Sequence, residues 1–570
     1  MLAALANCQN PPPQDLPAMT PAVDPITISV VQHRLRAIVE EMGEAMLRTS
    51  YSQILNSSRD FSTALCDPEG RLIAQAEHVP IHVGALPFAA RAVHEFFRGH
   101  ISPGDVYLLN DPYRGGNHLP DLTVFVPVFD QGDLVFWSIN RSHQSDIGGA
   151  THGAYNAGAT EIYQEGLRIP PLKLYEQGRR RDDVYEMIVL NVRHPRDFRG
   201  DLAAMIGSAR IGERRLGQLF GEFGSAVTHG AVAAVLDGAE RQVRAIIAGW
   251  PDGSYQGEAF LDDDGHGAHD IAIRARILKQ GSNLSIDLSD SHPQVTGFIN
   301  SSYANTYSAA VVALAYLIDP DIPKNDGAFR PLTLKVKEGT IVCPRPGAPV
   351  TLCTNHCGQE IIEAIIRALA PACPDRAMAG WGRRFRVAVQ GVDPRNGKPF
   401  IWHLFQARPG GGGSSAGDGW PGAGEWQAAG GIKFGSLEVQ EVRFPLHFRR
   451  HEFRPDSGGD GRHRGGPGGE LELVLETSEP ALGNTAGDGV KWGACGLAGG
   501  EDGKPHRYWL QSAGRPDRTL KTKETGIVLR PGDVLNAHSG GGGGWGDGKL
   551  RTASERERDK RQGFVSDRIE

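Results

Sequence analysis

Asn110-Asp111-Pro112-Tyr113-Arg114-Gly115-Gly116-Asn117-His118-Leu119-Pro120-Asp121 opens the most informative stretch of this chain, and Asn140-Arg141-Ser142-His143-Gln144-Ser145-Asp146-Ile147-Gly148-Gly149 closes it. Between these polar loops lie two apolar, β-branched segments of strand length, 122–129 and 134–140, joined by Asp130-Gln131-Gly132-Asp133. Such a pattern reads as an antiparallel hairpin. With a four-residue connection, Phe129 faces Leu134, and an unbroken register sets Asp121 against Ser142 and Pro120 against His143. His118, Asp121 and His143 then converge at the open end of one hairpin, where opposed Cβ atoms are ~5 Å apart. Two imidazoles and a carboxylate form a plausible shell for a divalent metal. Each residue alone reads more readily as a turn cap or a backbone partner; convergence of all three favours the metal. Glycines 115, 116, 148 and 149 allow the flanking loops to turn tightly around the site.

Working outward, a helix is expected over 24–50, capped by Asp24 with Pro25 in the first turn. Val31, Leu35, Ile38, Met42 and Met46 give it one buried stripe. Strands are expected at 62–66, 71–75 and 106–110 besides the hairpin, and a β-pair at 271–278 and 284–289. Helices are expected at 202–220, 231–248, 303–317 and 360–369. From about 384 the chain is strand and turn, with glycine clusters at 410–413, 458–469 and 540–544. The class is α+β, a large multi-subdomain chain, β-rich with flanking helices and mostly mixed or antiparallel sheets. The expected division is a flexible leader over 1–23, a metal-site domain over 24–250, a middle α+β region over 251–383, a glycine-rich β region over 384–550 and a charged tail over 551–570.

Glycine is the compositional oddity: 74 of 570 residues, about twice the usual share of ~7%. The glycines have no fixed period, which excludes collagen, and they imply turns and close backbone approach. The net charge of −7, without a basic block, gives no sign of nucleic acid or an anionic membrane as partner. No apolar run is long enough for a transmembrane helix, and the start makes a poor signal peptide; Met19 is an alternative start. Seven scattered cysteines do not form a disulfide framework and fit reduced thiols in a cytoplasm. Cys353 and Cys357 flank His356, but no second pair completes a zinc site, so their role reads as structural or incidental.

Motifs in order along the chain resemble the hydantoinase B / 5-oxoprolinase family, to which the large subunits of acetone and acetophenone carboxylases are related. They are Asp24-Pro25-Ile26-Thr27, Ser58-Arg59-Asp60-Phe61-Ser62, Asp67-Pro68-Glu69-Gly70-Arg71, His78-Val79-Pro80-Ile81-His82-Val83-Gly84, the 110–149 segment, Glu165-Gly166-Leu167-Arg168-Ile169-Pro170-Pro171, Asn191-Val192-Arg193, Asp456-Ser457-Gly458-Gly459 with Arg464-Gly465-Gly466, and Ser539 through Asp547. The resemblance implies a divalent ion, zinc or manganese, on Asp60, His118, Asp121 and His143. Gln144 stands where many relatives have a second histidine, which leaves the substrate open. Asp146 is read as a base, as a partner orienting a ligand histidine, or as a turn cap. His78 and His82 read as pocket-lining residues or backbone partners, with a ligand role as the lesser alternative.

The chain has no Gly-x-x-x-x-Gly-Lys-Ser/Thr phosphate loop, and its glycine runs read as tight turns. The resemblance therefore implies that ATP and Mg are bound by a hydantoinase A-like partner subunit, in a cytoplasmic heterotetramer. That subunit would phosphorylate a small cyclic amide, and this chain would open the ring to the open-chain acid. The alternatives are a subunit of an ATP-dependent ketone carboxylase and a non-catalytic scaffold for the ATPase subunit.

Overall fold

The structure is a computed structural model that describes residues 23–76 and 78–566. Nearly all of the expected leader, including Met19, and the last four residues of the charged tail lie outside the described residues.

The first layer begins with α1 (Pro25–Thr49), where Asp24 accepts from the amides of Ile26 and Thr27 and the expected apolar stripe is buried. Then follow α2 (Gln53–Asn56), β1 (Phe61–Cys66), β2 (Leu72–Ala76), α3 (Pro80–Val83), α4 (Leu86–Phe96), β3 (Val106–Leu109), β4 (Asp121–Asp130), β5 (Asp133–His143), β6 (Leu172–Glu176) and β7 (Arg179–Arg180). The helices α5 (Asp182–Leu190), α6 (Pro195–Phe223) and α7 (Ser225–Ala248) complete it. The strands form one sheet of order β2-β1-β5-β4-β3-β6-β7. Side chains alternate across it. Leu65 and Phe136 pack with α1, α6 and α7, whereas Ala64, Phe125, Trp137 and Ile139 pack with α4. Alternation of this kind is why each strand presents every second residue to the same cover.

The hairpin corrects one expectation. Its turn is two residues long, with Asp130 paired to Asp133 and both Gln131 (φ 50°) and Gly132 (φ 96°) left-handed, the geometry that suits strand twist. The register then slips at a bulge, so that Phe129 faces Leu134 but Val128 faces Phe136. Below the bulge every partner differs by one from the unbroken count: Asp121 pairs with His143, not Ser142. One extra residue on one strand re-aims every side chain beyond it.

A second sheet, of order β11-β10-β9-β8, uses β8 (Gly253–Asp263), β9 (His269–Gln280), β10 (Asn283–Asp287) and β11 (Leu332–Lys335), with α8 (Tyr303–Leu317), α9 (Asp326–Phe329) and α10 (Gly358–Leu369) around it. Its β10–β11 pair is parallel; the other pairs in the described residues are antiparallel. One hydrophobic cluster runs from Met46 and Phe61 through Leu122, Ile273, Leu314 and Ile365 to Trp426.

The last region is a sandwich. Strands β12 (Phe385–Asp393) and β13 (Lys398–His403), helix α11 (Leu437–Arg443), then β14 (Leu446–Phe453), β15 (Gly469–Leu475), β16 (Ala481–Gly487), β17 (Arg507–Gln511), β18 (Arg518–Thr519), β19 (Lys523–Leu529) and β20 (Val534–His538) make two sheets, β13-β12-β16-β19 and β14-β15-β20-β17-β18. Phe385, Trp402, Leu473, Tyr508, Ile527 and Leu535 fill the space between them. A final helix, α12 (Ala553–Arg561), starts on a capping box of Thr552 and Glu555.

The three glycine clusters are not the tight turns expected. They run beside one another. Gly410 N–H donates to Gly540 O at 3.0 Å, Gly466 N–H to Gly411 O at 2.8 Å, and Gly542 N–H to Gly466 O at 2.9 Å. A Cβ on Gly410 would sit 1.8 Å from Gly466 O, and one on Gly542 would sit 2.0 Å from Gly411 O. Bare backbone packs on bare backbone, which only glycine permits. Gly410→Ala is therefore expected to cost at least ~1–3 kcal/mol of unfolding free energy through overpacking. Gly417→Ala, where a Cβ meets nothing within 4 Å, should stay within ~0.5 kcal/mol of the parent. Parallel denaturant titrations compare the two.

Candidate metal centre

The paired ends of β4 and β5 place Asp121 and His143 side by side on one sheet face, the face that also carries Thr123, Phe125, Ile139 and Arg141. Helix α3 lies over that face and contributes His82. The loop before β4 brings His118. Asp60 precedes β1, and its carbonyl accepts from His143 N–H at 3.1 Å, which fixes the two strand ends together.

Asp121 is the centre. Its Oδ1 lies 2.8 Å from His118 Nε2 and 3.3 Å from His143 Nδ1, and its Oδ2 lies 3.4 Å from His82 Nε2. Asp60 Oδ1 is 3.6 Å from that same His82 nitrogen. His118, Asp121 and His143 can each offer a ligand atom within 4.8 Å of the others. The structure thus brings three of the four expected ligands together, with Asp60 beside them across His82. His82 lines the centre between the two carboxylates; its place four residues after His78 carried no spacing signal to separate the two. His78 instead packs its ring against Phe61 and contacts the Ala76 carbonyl.

The surroundings hold these side chains in place. His118 Nδ1 donates to the Thr351 carbonyl at 2.5 Å. Thr351 is itself fixed by buried Glu165, whose carboxylate accepts from the amides of Val350 and Thr351 at 3.0 and 2.8 Å. Buried Arg141 donates to Thr123 Oγ1 and the His82 carbonyl, at 2.8 and 2.9 Å, and to the Asn117 side chain. Asn110 clamps the His118 loop by donating to the Leu119 and Leu167 carbonyls at 2.7 and 2.9 Å. Gly115, at φ 97°, turns that loop against α4, where a Cβ would strike Ala89 N at 2.5 Å.

Electrostatics at the centre follow from burial. Burial pushes His143 down to about 3 and His82 down to about 4, so both are neutral at pH 7. Burial, reinforced by the charge of Asp121, pushes Asp60 up to about 7. Burial also opposes the charge of Asp121, but His118 and His82 outweigh it and hold this carboxyl well below its usual range.

The donor set fits a divalent ion. With Nδ1 committed to a carbonyl, His118 turns Nε2 toward the Asp121 carboxylate, and two such acceptors need a proton or a cation between them. One proton satisfies only that pair. Asp121 Oδ2 and His143 Nε2 are further buried atoms without a hydrogen-bond partner. Unsatisfied atoms of mixed N/O type, on residues that can each offer a ligand atom within 4.8 Å of the others, match zinc or manganese. The ligand-to-carbonyl bond of His118 is the support that such ligands need.

Asp146, expected as a base, an orienting partner or a turn cap, meets a turn and Arg193. Its carboxylate accepts from Arg193 N–H at 2.7 Å, Arg193 Nη1 at 2.8 Å and Gly148 N–H at 3.3 Å, and it makes no hydrogen bond to a ligand imidazole. With Gln144, His194 and His403 it lines a polar cleft of about 290 Å³. Cys353 and Cys357 are buried thiols pushed up by that burial, and His356 donates to the Arg384 carbonyl at 2.8 Å, so this trio is structural.

The sandwich covers the centre. Tyr155 stacks on His143 with ring centres 5.7 Å apart, and Arg386 from β12 lies 3.9 Å over the Tyr155 ring. Tyr155, Arg386 and His403 are site residues that sequence reasoning missed, because they arrive from loops and strands remote in sequence.

The Hydantoinase B/oxoprolinase family model matches residues 24–548. The chain is 36% identical over 557 residues to the caprolactamase subunit beta of Pseudomonas jessenii, covering 95% of this chain and 94% of that one. The solved structure of the ATP-dependent caprolactamase from Pseudomonas jessenii superimposes with a TM-score of 0.90 at 34% identity, over 96% of this chain and 95% of that chain. A nucleotide-free acetone carboxylase structure shares the fold, with a TM-score of 0.88 at 20% identity over 95% of this chain and 78% of that chain.

If the convergent lone pairs hold an ion, zinc or manganese at about 100 times its Kd stabilises the chain by ~2.7 kcal/mol. The melting temperature should rise with metal after chelation, and His143→Ala should abolish the rise. Equal melting with and without metal in the parent would remove the metal reading.

Proposed function

This chain belongs to the hydantoinase B/oxoprolinase family, and from that premise we propose that it is the ring-opening subunit of an ATP-dependent cyclic amidase. The observation that carries this reading is the buried His118–Asp121–His143 cluster, with its unsatisfied lone pairs, in a chain similar along its whole length to a caprolactamase subunit. The substrate class is a small lactam or related cyclic amide, of which caprolactam, hydantoin and 5-oxoproline rings are members. The partner is a hydantoinase A-like ATP-binding subunit in a heterotetramer, and among the described residues no single helix is long and apolar enough to cross a membrane.

The division of labour follows from amide chemistry. Resonance keeps an amide inert to water at neutral pH. Phosphorylation of its oxygen on the partner, at the cost of ATP, turns that oxygen into a leaving group. This chain then receives the activated ring and delivers water to its carbon. The C–N bond breaks, the nitrogen leaves as an amine and the carbon is left as an acyl phosphate; a second water displaces the phosphate, so that the open-chain acid, ADP and phosphate are the products.

His118, Asp121 and His143 would hold the divalent ion, with Asp60 completing the set. When bound, such an ion supplies Lewis acidity and eases ionisation of water. Thr351 and Glu165 keep His118 in one tautomer and orientation. His82 keeps Nε2 between the Asp60 and Asp121 carboxylates and so offsets their repulsion. Tyr155 roofs the centre and keeps bulk water off an intermediate that water would otherwise destroy. Gln144 lines the wall of the adjacent cleft and would meet the substrate ring there.

The test is reconstitution with the ATPase subunit. ATP-dependent opening of caprolactam, hydantoin or 5-oxoproline should form ADP and acid together, and His118→Ala should lower the rate by about 10²-fold or more. Incorporation of bicarbonate into acetone, with no cyclic amide opened, would transfer the chain to the carboxylase branch. Full activity in His118→Ala would leave only a scaffold.

A further inference from the structure

Besides Arg141, four arginines lie buried near the centre, and their charges are not equally matched. Arg383 pairs with Glu363 and Glu360, at 2.7 and 3.0 Å. Arg384 pairs with Glu425 at 3.0 Å. Arg408 lies 3.8 Å from Glu425. Arg386 has no carboxylate within ion-pair distance among the described residues, although it is only 3% exposed. A buried guanidinium without a counter-charge is costly, and a fold that keeps one supplies the anion from elsewhere.

Its contacts define a donor cluster. Nη2 donates to His403 Nδ1 at 2.8 Å. Accepting there leaves neutral His403 with its proton on Nε2. That Nε2 and the Nε of Arg386 are both buried without a hydrogen-bond partner. Two unsatisfied donors, one of them charged, therefore sit on adjacent strands, with the guanidinium carbon held 3.9 Å over Tyr155. Tyr155 in turn stacks on His143, so the cluster borders the metal centre. It also borders the outside: His403 forms one wall of the polar cleft whose other wall carries Gln144, the residue after His143.

The charges complete the argument. Against a divalent ion, Asp60 and Asp121 bring the centre to neutrality. Glu360, Glu363 and Glu425 together balance Arg383, Arg384 and Arg408. Of the two guanidinium groups near the centre with no carboxylate beside them among the described residues, Arg141 commits its donors to Thr123, His82 and Asn117, whereas Arg386 keeps an unsatisfied Nε beside the position where an anionic substrate would have to sit.

We propose that Arg386 and His403 form an anion subsite, entered from the cleft bounded by Gln144, that takes the phosphoryl group of the activated substrate. This assignment deepens the reading of the chain as the ring-opening subunit and rests on it for the identity of the anion. The guanidinium binds phosphoryl oxygens through charged hydrogen bonds, and His403 adds a neutral donor. Anchoring the phosphoryl group there points the amide carbon toward His118, Asp121 and His143. Arg386 thereby discriminates the phosphorylated ring from the unactivated amide, which carries no charge.

The experiment measures binding of inorganic phosphate to the full, metal-loaded chain by calorimetry, and product per ATP in the reconstituted complex. Arg386→Gln should weaken phosphate by about tenfold or more, with metal content unchanged. Arg386→Lys should fall between the two, because it keeps the charge and loses the fork. In the complex, Arg386→Gln should continue to cleave ATP while forming less acid per ADP, which a merely structural role would not produce. Should Arg386→Gln fail to fold, Arg386→Lys and His403→Gln carry the comparison. Phosphate affinity within about twofold of the parent in folded Arg386 variants would overturn the subsite, even if the complex opens cyclic amides. Phosphate binding that depends on Arg386, in a complex that opens no cyclic amide, would support the subsite and remove the reading of the substrate.

Discussion

The centre depends on one cross-strand pair, Asp121 against His143 at the end of β4 and β5. Directly opposed residues share a sheet face, so this pairing turns carboxylate and imidazole into one space. The bulge near Phe129 sets the pairing. Without that extra residue Asp121 would face Ser142, and His143 would lie one step beyond the strand end. Everything else near the centre holds what the pair establishes. Arg141, two residues before His143, points to the same face and fixes the backbone of His82 and the side chain of Asn117. Asp60 secures the strand end through the amide of His143.

Burial is what gives these groups chemical character. Within water, an aspartate beside three histidines would be unremarkable. Here the imidazoles of His82 and His143 are kept neutral by desolvation, so their lone pairs stay available while Asp121 stays charged. Desolvation also raises the stakes for any unmatched charge. Arg384 meets it by pairing with Glu425; Arg386 does not, and stacks on Tyr155 instead. Two arginines two residues apart on neighbouring positions of one chain segment thus serve different ends: one ties the sandwich together, and the other faces the centre.

Glycine has a comparable double meaning in this chain. In the 110–149 segment it lets loops turn around the centre. In the last region it lets three stretches lie backbone against backbone, joined by amide-to-carbonyl bonds. Those stretches flank the sandwich that carries Arg386 and His403, so close packing far from the centre helps to fix its cover.

Local pattern was enough for much of this. The period of apolar residues identified α1 and its buried stripe, α8 to its bounds at Tyr303–Leu317, both strands of the hairpin and the α+β class. It also brought His118, Asp121 and His143 to one place, because a hairpin is a local structure whose partners are near in sequence. Family motifs, and not spacing, supplied Asp60. What local pattern could not supply was anything dependent on a single-residue slip or on distant contact. The bulge leaves no trace in hydrophobic alternation, since Val128, Phe129, Leu134 and Val135 are all apolar. Glycine clusters look alike in a turn and in an extended stack, because the neighbour that excludes a Cβ lies elsewhere in the chain. Asp146 keeps the same letters whether it meets a histidine or Arg193. Tyr155, Thr351, Arg386 and His403 reach the centre only through packing of separate layers. The sequence by itself determined the class, the hairpin strands and the three converging side chains, because these rest on short-range periodicity; tertiary structure alone decided the register, the cover and the unmatched charge, because these rest on which distant surfaces exclude water from one another.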